Sequence, residues 1–311
     1  MTAHTSPKVA ILLCTYQGQK YLHEQLNSFV AQTHKNWELW VSDDGSKDGT
    51  HAILAEAIKD WSPGKISVHN GPQEGFCANF LSLTCNACIK ADFYAYSDQD
   101  DIWKSEKLAR AVAALKTVPH GVPALYCSRT RVVDADDKPI CMSPLFEKTP
   151  SFANALMQNI GGGNTMVFNE AARQLLIAAG DQVKVVVHDW WAYLLITGCG
   201  GQVFYDPIST VRYRQHGGNL VGMSSSWPAR IKRIVLMLQG RLREWNDLNV
   251  AALQSVYGRL APRNQEILNQ FMVARQLPLQ QRLVGLMRSG VYRQTLYGKL
   301  GLIAAAVFNK I

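Results

Sequence analysis

The sequence predicts an α/β protein: a Rossmann-like, mostly parallel sheet flanked by helices, followed by a C-terminal α-helical region. Three observations carry this. Short apolar runs alternate with segments of helical periodicity over residues 9–115. Two of those runs end in clusters of carboxylates. Basic charge collects beyond residue 226.

In chain order, Val9-Ala10-Ile11-Leu12-Leu13-Cys14 is a continuous apolar run, as a strand buried on both faces requires. Thr15-Tyr16-Gln17-Gly18 ends it. Leu22, Leu26, Phe29, Val30 and Thr33 then share one helical face. Residues 37–41 form a second strand, which runs into Ser42-Asp43-Asp44-Gly45-Ser46. Asp48-Gly49-Thr50 opens a helix carrying Ile53, Leu54, Ala57 and Ile58. A third strand is expected at 66–69, a third helix at 75–89 and a fourth strand at 93–96. That strand leads into Ser97-Asp98-Gln99-Asp100-Asp101-Ile102-Trp103, and Leu108, Ala111, Val112 and Leu115 mark the next helix. Right-handed crossovers put both acidic clusters at one C-terminal sheet edge. Open parallel sheets bind ligands at that edge.

Three carboxylates within four positions repel one another. A hard cation such as Mg²⁺ or Mn²⁺ relieves this, held by one or two carboxylates plus substrate phosphates. A polar loop whose acids cap the next helix is the plainer alternative. Asp44 is placed to accept hydrogen bonds from a base or ribose, though Asp-Gly also favours an ordinary tight turn. No G-x-G-x-x-G and no GxxxxGK[ST] occurs, which argues against a dinucleotide site and a P-loop.

From residue 124 the pattern changes. Residues 124–127 form a short strand and 132–139 a strand and a solvated turn. Gly161-Gly162-Gly163 approaches a strand at 164–168 and either lets backbone come close to a ligand, with Gly162 a candidate contact, or acts as a hinge. Residues 188–195 start a helix at His188-Asp189. A carboxylate in a first helical turn is favoured by the amide dipoles. The functional reading makes Asp189 a base at a pocket mouth, with Trp190 and Trp191 as aromatic walls. Residues 210–216 alternate like a strand, and Arg214 and His216 are candidates to meet a diphosphate or its metal.

These stretches resemble glycosyltransferase family 2, inverting enzymes of the type A glycosyltransferase fold. The carriers are Cys14-Thr15-Tyr16-Gln17-Gly18, Ser42 to Thr50, Ser97-Asp98-Gln99-Asp100-Asp101-Ile102-Trp103, His188-Asp189-Trp190-Trp191 and Arg214-Gln215-His216-Gly217-Gly218-Asn219. Their order and spacing match over residues 8 to 222, and two of them are similar to bacterial rhamnosyltransferase-like members that build O-antigen and other cell-surface polysaccharides. The resemblance implies that Thr15, Tyr16 and Asp44 hold the nucleoside. It implies that Asp98 and Asp100 hold ribose and metal, with Asp100 the metal ligand, and that Asp189 is the catalytic base. His216 would face the diphosphate and its metal, while Asp43 and Asp101 have no assigned role. It also implies a nucleotide-diphosphate sugar donor, with dTDP-rhamnose the first candidate, and a lipid-linked or polysaccharide acceptor. The Gln-x-x-Arg-Trp motif of processive synthases is missing, which favours adding one sugar or a few.

The chain of 311 residues is 47% hydrophobic and 18% charged, a globular balance. The predicted division is a catalytic domain over 1–222 and a basic helical region over 223–311. Residues 227–311 hold 13 Lys and Arg against 3 Asp and Glu, a net +10, which leaves −2 for residues 1–226 of the chain's +8. Such a tail calls for a polyanion. Ile231, Ile234, Val235, Leu238, Leu242 and Trp245 share one side of a basic amphipathic helix opened by Trp227-Pro228, with more helices after Pro262 and Pro278 and a last one over 291–308. Apolar faces suit an anionic membrane surface better than nucleic acid, so the expectation is a peripheral protein on the inner face of the membrane. Signal-peptide layout and membrane-length apolar runs are absent. With seven cysteines, an odd count, the expectation is reduced, mostly buried thiols in a cytoplasmic protein. Cys85 and Cys88 are expected in helix packing, because no second pair stands at zinc-ligand spacing. Two other classes compete: a sugar-nucleotide pyrophosphorylase, which wants a glycine- and arginine-rich loop where Thr15 to Lys20 stands, and a non-catalytic binding module.

Overall fold

The computed structural model describes residues 6–216 and 240–311. Its first half is built as the alternation predicts: β1 (Val9–Thr15), α1 (Leu22–Val30), β2 (Trp37–Asp43), α2 (Thr50–Asp60), β3 (Ile66–Asn70), α3 (Phe76–Cys85) and β4 (Phe93–Ser97). Then come β5 (Ile102–Trp103), α4 (Lys107–Leu115), β6 (Ala124–Val133), β7 (Pro139–Met142) and α5 (Phe152–Ala155). A 3₁₀ turn at Gly163–Thr165 precedes β8 (Val167–Asn169), α6 (Glu170–Ala179), α7 (His188–Gly198) and β9 (Gln202–Arg214). The C-terminal region is α8 (Arg241–Ser255), α9 (Pro262–Gln276), α10 (Leu279–Arg288) and α11 (Leu296–Val307).

One sheet runs β3-β2-β1-β4-β8-β6-β9-β5, with β7 against β6. The β3-β2-β1-β4 half is parallel. Beyond it the sheet is mixed: β8 is antiparallel to both β4 and β6, while β6 and β9 run parallel. Every residue of β1 is buried, because both faces are covered. Val9, Ile11 and Leu13 face Leu22, Phe29, Leu54 and Leu108 of α1, α2 and α4. Ala10 and Leu12 face the other layer, where Phe80, Trp191, Leu253, Phe271 and Leu302 of α3, α7, α8, α9 and α11 share one core. The C-terminal helices therefore pack on the sheet, and the expected boundary at 222/223 lies outside the described residues.

Several expectations are corrected. The third helix ends at Cys85 rather than 89, and Cys88 is exposed in the following turn, so the pair shares no helix. All seven thiols are free, but only Cys14 and Cys127 are buried. The last helix begins at Leu296 rather than 291, because the Thr295 hydroxyl accepts from Gly298 N at 3.1 Å and caps it there. Most of the amphipathic helix expected from Trp227 lies outside the described residues. Its end is seen in α8, where Leu242 is buried and the Arg241 guanidinium lies 4.8 Å over the Trp245 ring. Among the described residues no helix is long and apolar enough to cross a membrane.

Candidate active site

The strands β1, β2 and β4 end side by side, so the loops after them form one rim. β1 finishes at Thr15, whose hydroxyl donates to Asp43 Oδ2 at 2.7 Å. Asp43 closes β2 and also accepts from Ser46 N (2.8 Å) and Ser46 Oγ (2.6 Å). Burial alone would raise its pKa, but the bonds from Ser46 and Thr15 outweigh that and hold it below the usual carboxylate range. Asp43 thus braces the rim. Asp44 is 8% exposed and accepts from the backbone N–H groups of Gln73 (2.7 Å) and Gly75 (3.0 Å), fixing the loop after β3.

Tyr16 presents a 57% exposed ring at the end of β1. Its backbone is clasped by Gln99, whose Oε1 accepts from Tyr16 N and whose Nε2 donates to Tyr16 O, both at 2.8 Å. Gln17 sits at φ 52°, a region few side chains adopt, held by a 2.9 Å bond from its N–H to Ser46 Oγ. The sequence gives no periodic signal for Gln99 or Gln17, since both act through backbone contacts.

The loop after β4 carries the three close carboxylates. Asp101 is 1% exposed and accepts from Arg214 N (3.0 Å) and Asn164 Nδ2. Desolvation, then Asp100, raises its pKa to about 8. Asp98 is partly open, and desolvation followed by repulsion from Asp101, Asp100 and Asp189 raises it well above the carboxylate range. Asp100 Oδ2 lies 2.8 Å from His216 Nε2, and the imidazole sits 4.8 Å from the Tyr21 ring. Asp101 is thereby a buried bracket, and Asp100 and His216 are the partly open pair.

Arg214 is a correction. It was expected at a diphosphate, yet it is 1% exposed. Its Nη2 meets Glu24 Oε2 at 2.5 Å, its Nη1 donates to Ala135 O at 2.6 Å and its Nε to Asp100 O at 3.1 Å. The guanidinium is used to hold the acidic loop from beneath. Trp190 and Trp191 are the second correction. They are 5% and 0% exposed, and the Trp190 indole donates to Ala155 O at 2.7 Å, so both fill the core below the site.

Asp189 stands in the first turn of α7, partly open. Its Oδ2 accepts from Gly163 N at 2.9 Å and its Oδ1 from Trp190 N at 2.6 Å. Desolvation raises its pKa to about 6 against those bonds. The glycines serve close packing: a Cβ on Gly163 would meet His188 Nε2 at 2.6 Å, and one on Gly161 would meet Cys127 Cβ at 2.6 Å. Gly162 is the exposed member. His188, to which the sequence motif assigns no role, stacks on Phe80 at 3.9 Å and is 4% exposed. Burial lowers its pKa to about 3, so it is neutral beside Asp189. Its position next to the acid was the one available signal.

Asp98 feels the charges of Asp100, Asp101 and Asp189, and Cys14 those of Asp98 and Asp44, so these acids lie near one another at the sheet edge. No three His, Cys, Asp or Glu side chains converge as a complete metal cage among the described residues. Asp100 and His216, beside Asp98 under repulsion from its neighbouring acids, are the residues that could hold a cation taking its remaining ligands from phosphate and water.

The sequence profile described as "Glycosyl transferase family 2" matches residues 10–175. The dTDP-rhamnosyl transferase RfbG of Shigella flexneri is 28% identical over 239 residues, covering 72% of this chain and 78% of that protein. An uncharacterized glycosyltransferase of Nostoc sp. is 31% identical over 227 residues, covering 68% of this chain and 66% of its own. Among solved structures, S. aureus TarS 1-349 in complex with UDP-GlcNAc has a TM-score of 0.53 at 16% identity, covering 92% of this chain and 93% of that one. The mannosyltransferase PcManGT from Pyrobaculum calidifontis, in complex with GDP-Man and Mn²⁺, has a TM-score of 0.53 at 15% identity, covering 99% and 86%. The structural likenesses carry the type A fold, and the profile match, spanning more than half of the chain, carries the rest: the chain belongs to glycosyltransferase family 2 and is a transferase.

Proposed function

We propose that the protein transfers one sugar, with inversion, from a nucleotide-diphosphate donor to a hydroxyl of a lipid-linked or polysaccharide acceptor in cell-surface glycan synthesis. The observation that carries this is Asp189: a partly open carboxylate fixed by two backbone N–H groups, with a pKa near 6, in the crevice that holds Asp98 and Asp100. Ionised, it takes the proton of the acceptor hydroxyl as that oxygen bonds to C1 of the sugar. The C1–O bond to the diphosphate breaks on the opposite face, and the diphosphate leaves with the electron pair. Neutral His188 behind Asp189 places no cation there to quench the base. Tyr16 and Asp44 would meet the nucleoside, and Asp98 and Asp100 the ribose and diphosphate, whereas Thr15, expected at the nucleoside, is 1% exposed and braces Asp43 instead. Asp100 and His216 would hold Mg²⁺ or Mn²⁺, which when bound neutralises the leaving diphosphate. The likeness to a dTDP-rhamnosyl transferase supports dTDP-rhamnose as the donor. A lipid-linked acceptor would place the enzyme on the inner face of the membrane.

The test is nucleoside diphosphate release from dTDP-rhamnose with glycolipid or oligosaccharide acceptors and Mg²⁺ or Mn²⁺. Asp189→Asn is expected to lose about 10²–10⁴-fold in turnover with donor binding retained. Formation of dTTP and rhamnose 1-phosphate when pyrophosphate is added instead would identify a pyrophosphorylase, and equal turnover in the variant would remove Asp189 from the base's role.

A further inference from the structure

Helix α11 is apolar on two sides. Leu302, Ala305 and Ala306 pack inward. Leu296, Leu300, Ile303 and Val307 recur at i, i+4, i+7 and i+11 on the other side and are 69, 55, 44 and 42% exposed. Tyr297 at 86% and Phe308 at 60% extend that face at its two ends. A helix apolar all round is ordinarily covered on all sides, and a contiguous outward apolar face marks a binding surface.

Charge identifies what covers it. Residues 267–311 contain no Asp or Glu, and they carry six Lys and Arg. Of these, Arg275 and Arg282 are buried, Arg275 against Asp247 and Arg282 donating to Ala306 O at 2.7 Å. Arg288 and Lys299 are exposed, and Lys299 lies within the outward stripe of α11. Arg243 reaches Asn309 O at 3.4 Å beside the C-terminal end of that stripe, next to Lys310. A second copy docked helix to helix would set cation against cation with no carboxylate from this segment between them. An anionic bilayer offers acyl chains to the aliphatic residues, a headgroup layer to the tyrosine and phosphate to the lysines.

We infer that the outward face of α11 lies in the headgroup–acyl boundary of an anionic lipid bilayer, with the helix parallel to the surface. This rests for its purpose on the reading above of an enzyme that works on lipid-linked acceptors, while the face itself is defined without reference to the donor crevice.

The test is co-sedimentation of the full chain with vesicles of phosphatidylcholine alone and of phosphatidylcholine with phosphatidylglycerol. The wild type is expected to pellet with the anionic vesicles at low salt and to be released by high salt. Leu300→Glu with Ile303→Glu should weaken vesicle binding at least about tenfold, and Lys299→Glu should weaken it less. Tyr297→Ala, at the most exposed position, is a second probe should the double variant fail to fold. Wild type left in the supernatant with both vesicle types, or variants that pellet as it does, overturns the inference. So does self-association, seen by sedimentation velocity and abolished by the double variant, without vesicle binding. Donor binding by thermal shift, read in parallel, separates this outcome from failure of the transferase reading: either result stands when the other falls.

Discussion

At the scale of residues, two carboxylates of the candidate site are tuned in opposite directions. Asp189 is raised to about 6 by desolvation, so the fold favours its protonated form. Its contribution to stability is therefore lost as pH rises from the ordinary carboxylate range through about 6. As the proposed base Asp189 would work ionised, so turnover should fall as pH drops through about 6, with a limb of unit slope in the pH–rate profile. A profile flat from pH 5 to 8 would contradict the role; those bounds are about one to two units either side of the shifted value. Asp43 is lowered instead, so its stabilisation is present above the unfolded carboxylate pKa and lost as pH falls. Asp43→Ala strands the donors of Thr15 and Ser46 and should cost about 2–3 kcal/mol in a denaturant melt at neutral pH. Gly163→Ala pushes a methyl against His188 Nε2 and shifts the N–H that holds Asp189. It should lower kcat far more than donor affinity, because displacing a catalytic group by about 1 Å costs about 10²-fold.

At the scale of elements, β9 and the loop after β4 behave as one unit. Arg214, at the end of β9, bonds the backbone of Asp100, and its own N–H bonds Asp101. Arg214→Lys keeps the charge but loses the fork that reaches Glu24, Ala135 and Asp100 together. It should destabilise by about 1–3 kcal/mol and weaken donor binding, measured by thermal melt and by titration with the donor. The sequence made the first seven elements legible because most apolar runs there are buried on one face or both, so period and burial agree; β3, with no fully buried residue, is the exception. The mixed half was harder. β8 has three residues and β5 two, too short for period to speak, and their antiparallel pairing depends on distant chain. The acidic rim was legible as a cluster, but the division of labour within it was not. Nothing in Asp98-Gln99-Asp100-Asp101 says that Gln99 clasps Tyr16 or that Asp101 is sealed under Asn164 and Arg214. The Trp190-Trp191 pair reads as polar-edged aromatic surface in sequence, and only the layer of C-terminal helices shows why it is core.

At the scale of the molecule, one continuous core on the α3–α7 face joins the sheet to α8, α9 and α11. Phe271 is fully buried in α9, and Phe271→Ala should cost about 3–5 kcal/mol. The loss should appear as a lower midpoint of a single unfolding transition; two separate transitions would mean that the helices and the sheet do not share that core. The carboxylate rim at the C-terminal ends of β1, β2 and β4 is the place proposed for donor and acceptor to meet. The most direct test is a crystal structure with a nucleoside diphosphate sugar and Mn²⁺. The account predicts the nucleoside against Tyr16 and Asp44, the metal and diphosphate at Asp100 and His216, and the Asp189 carboxylate on the far side of the anomeric carbon from the diphosphate. A donor bound away from this rim, or an Asp189 carboxylate turned from the sugar, would contradict it.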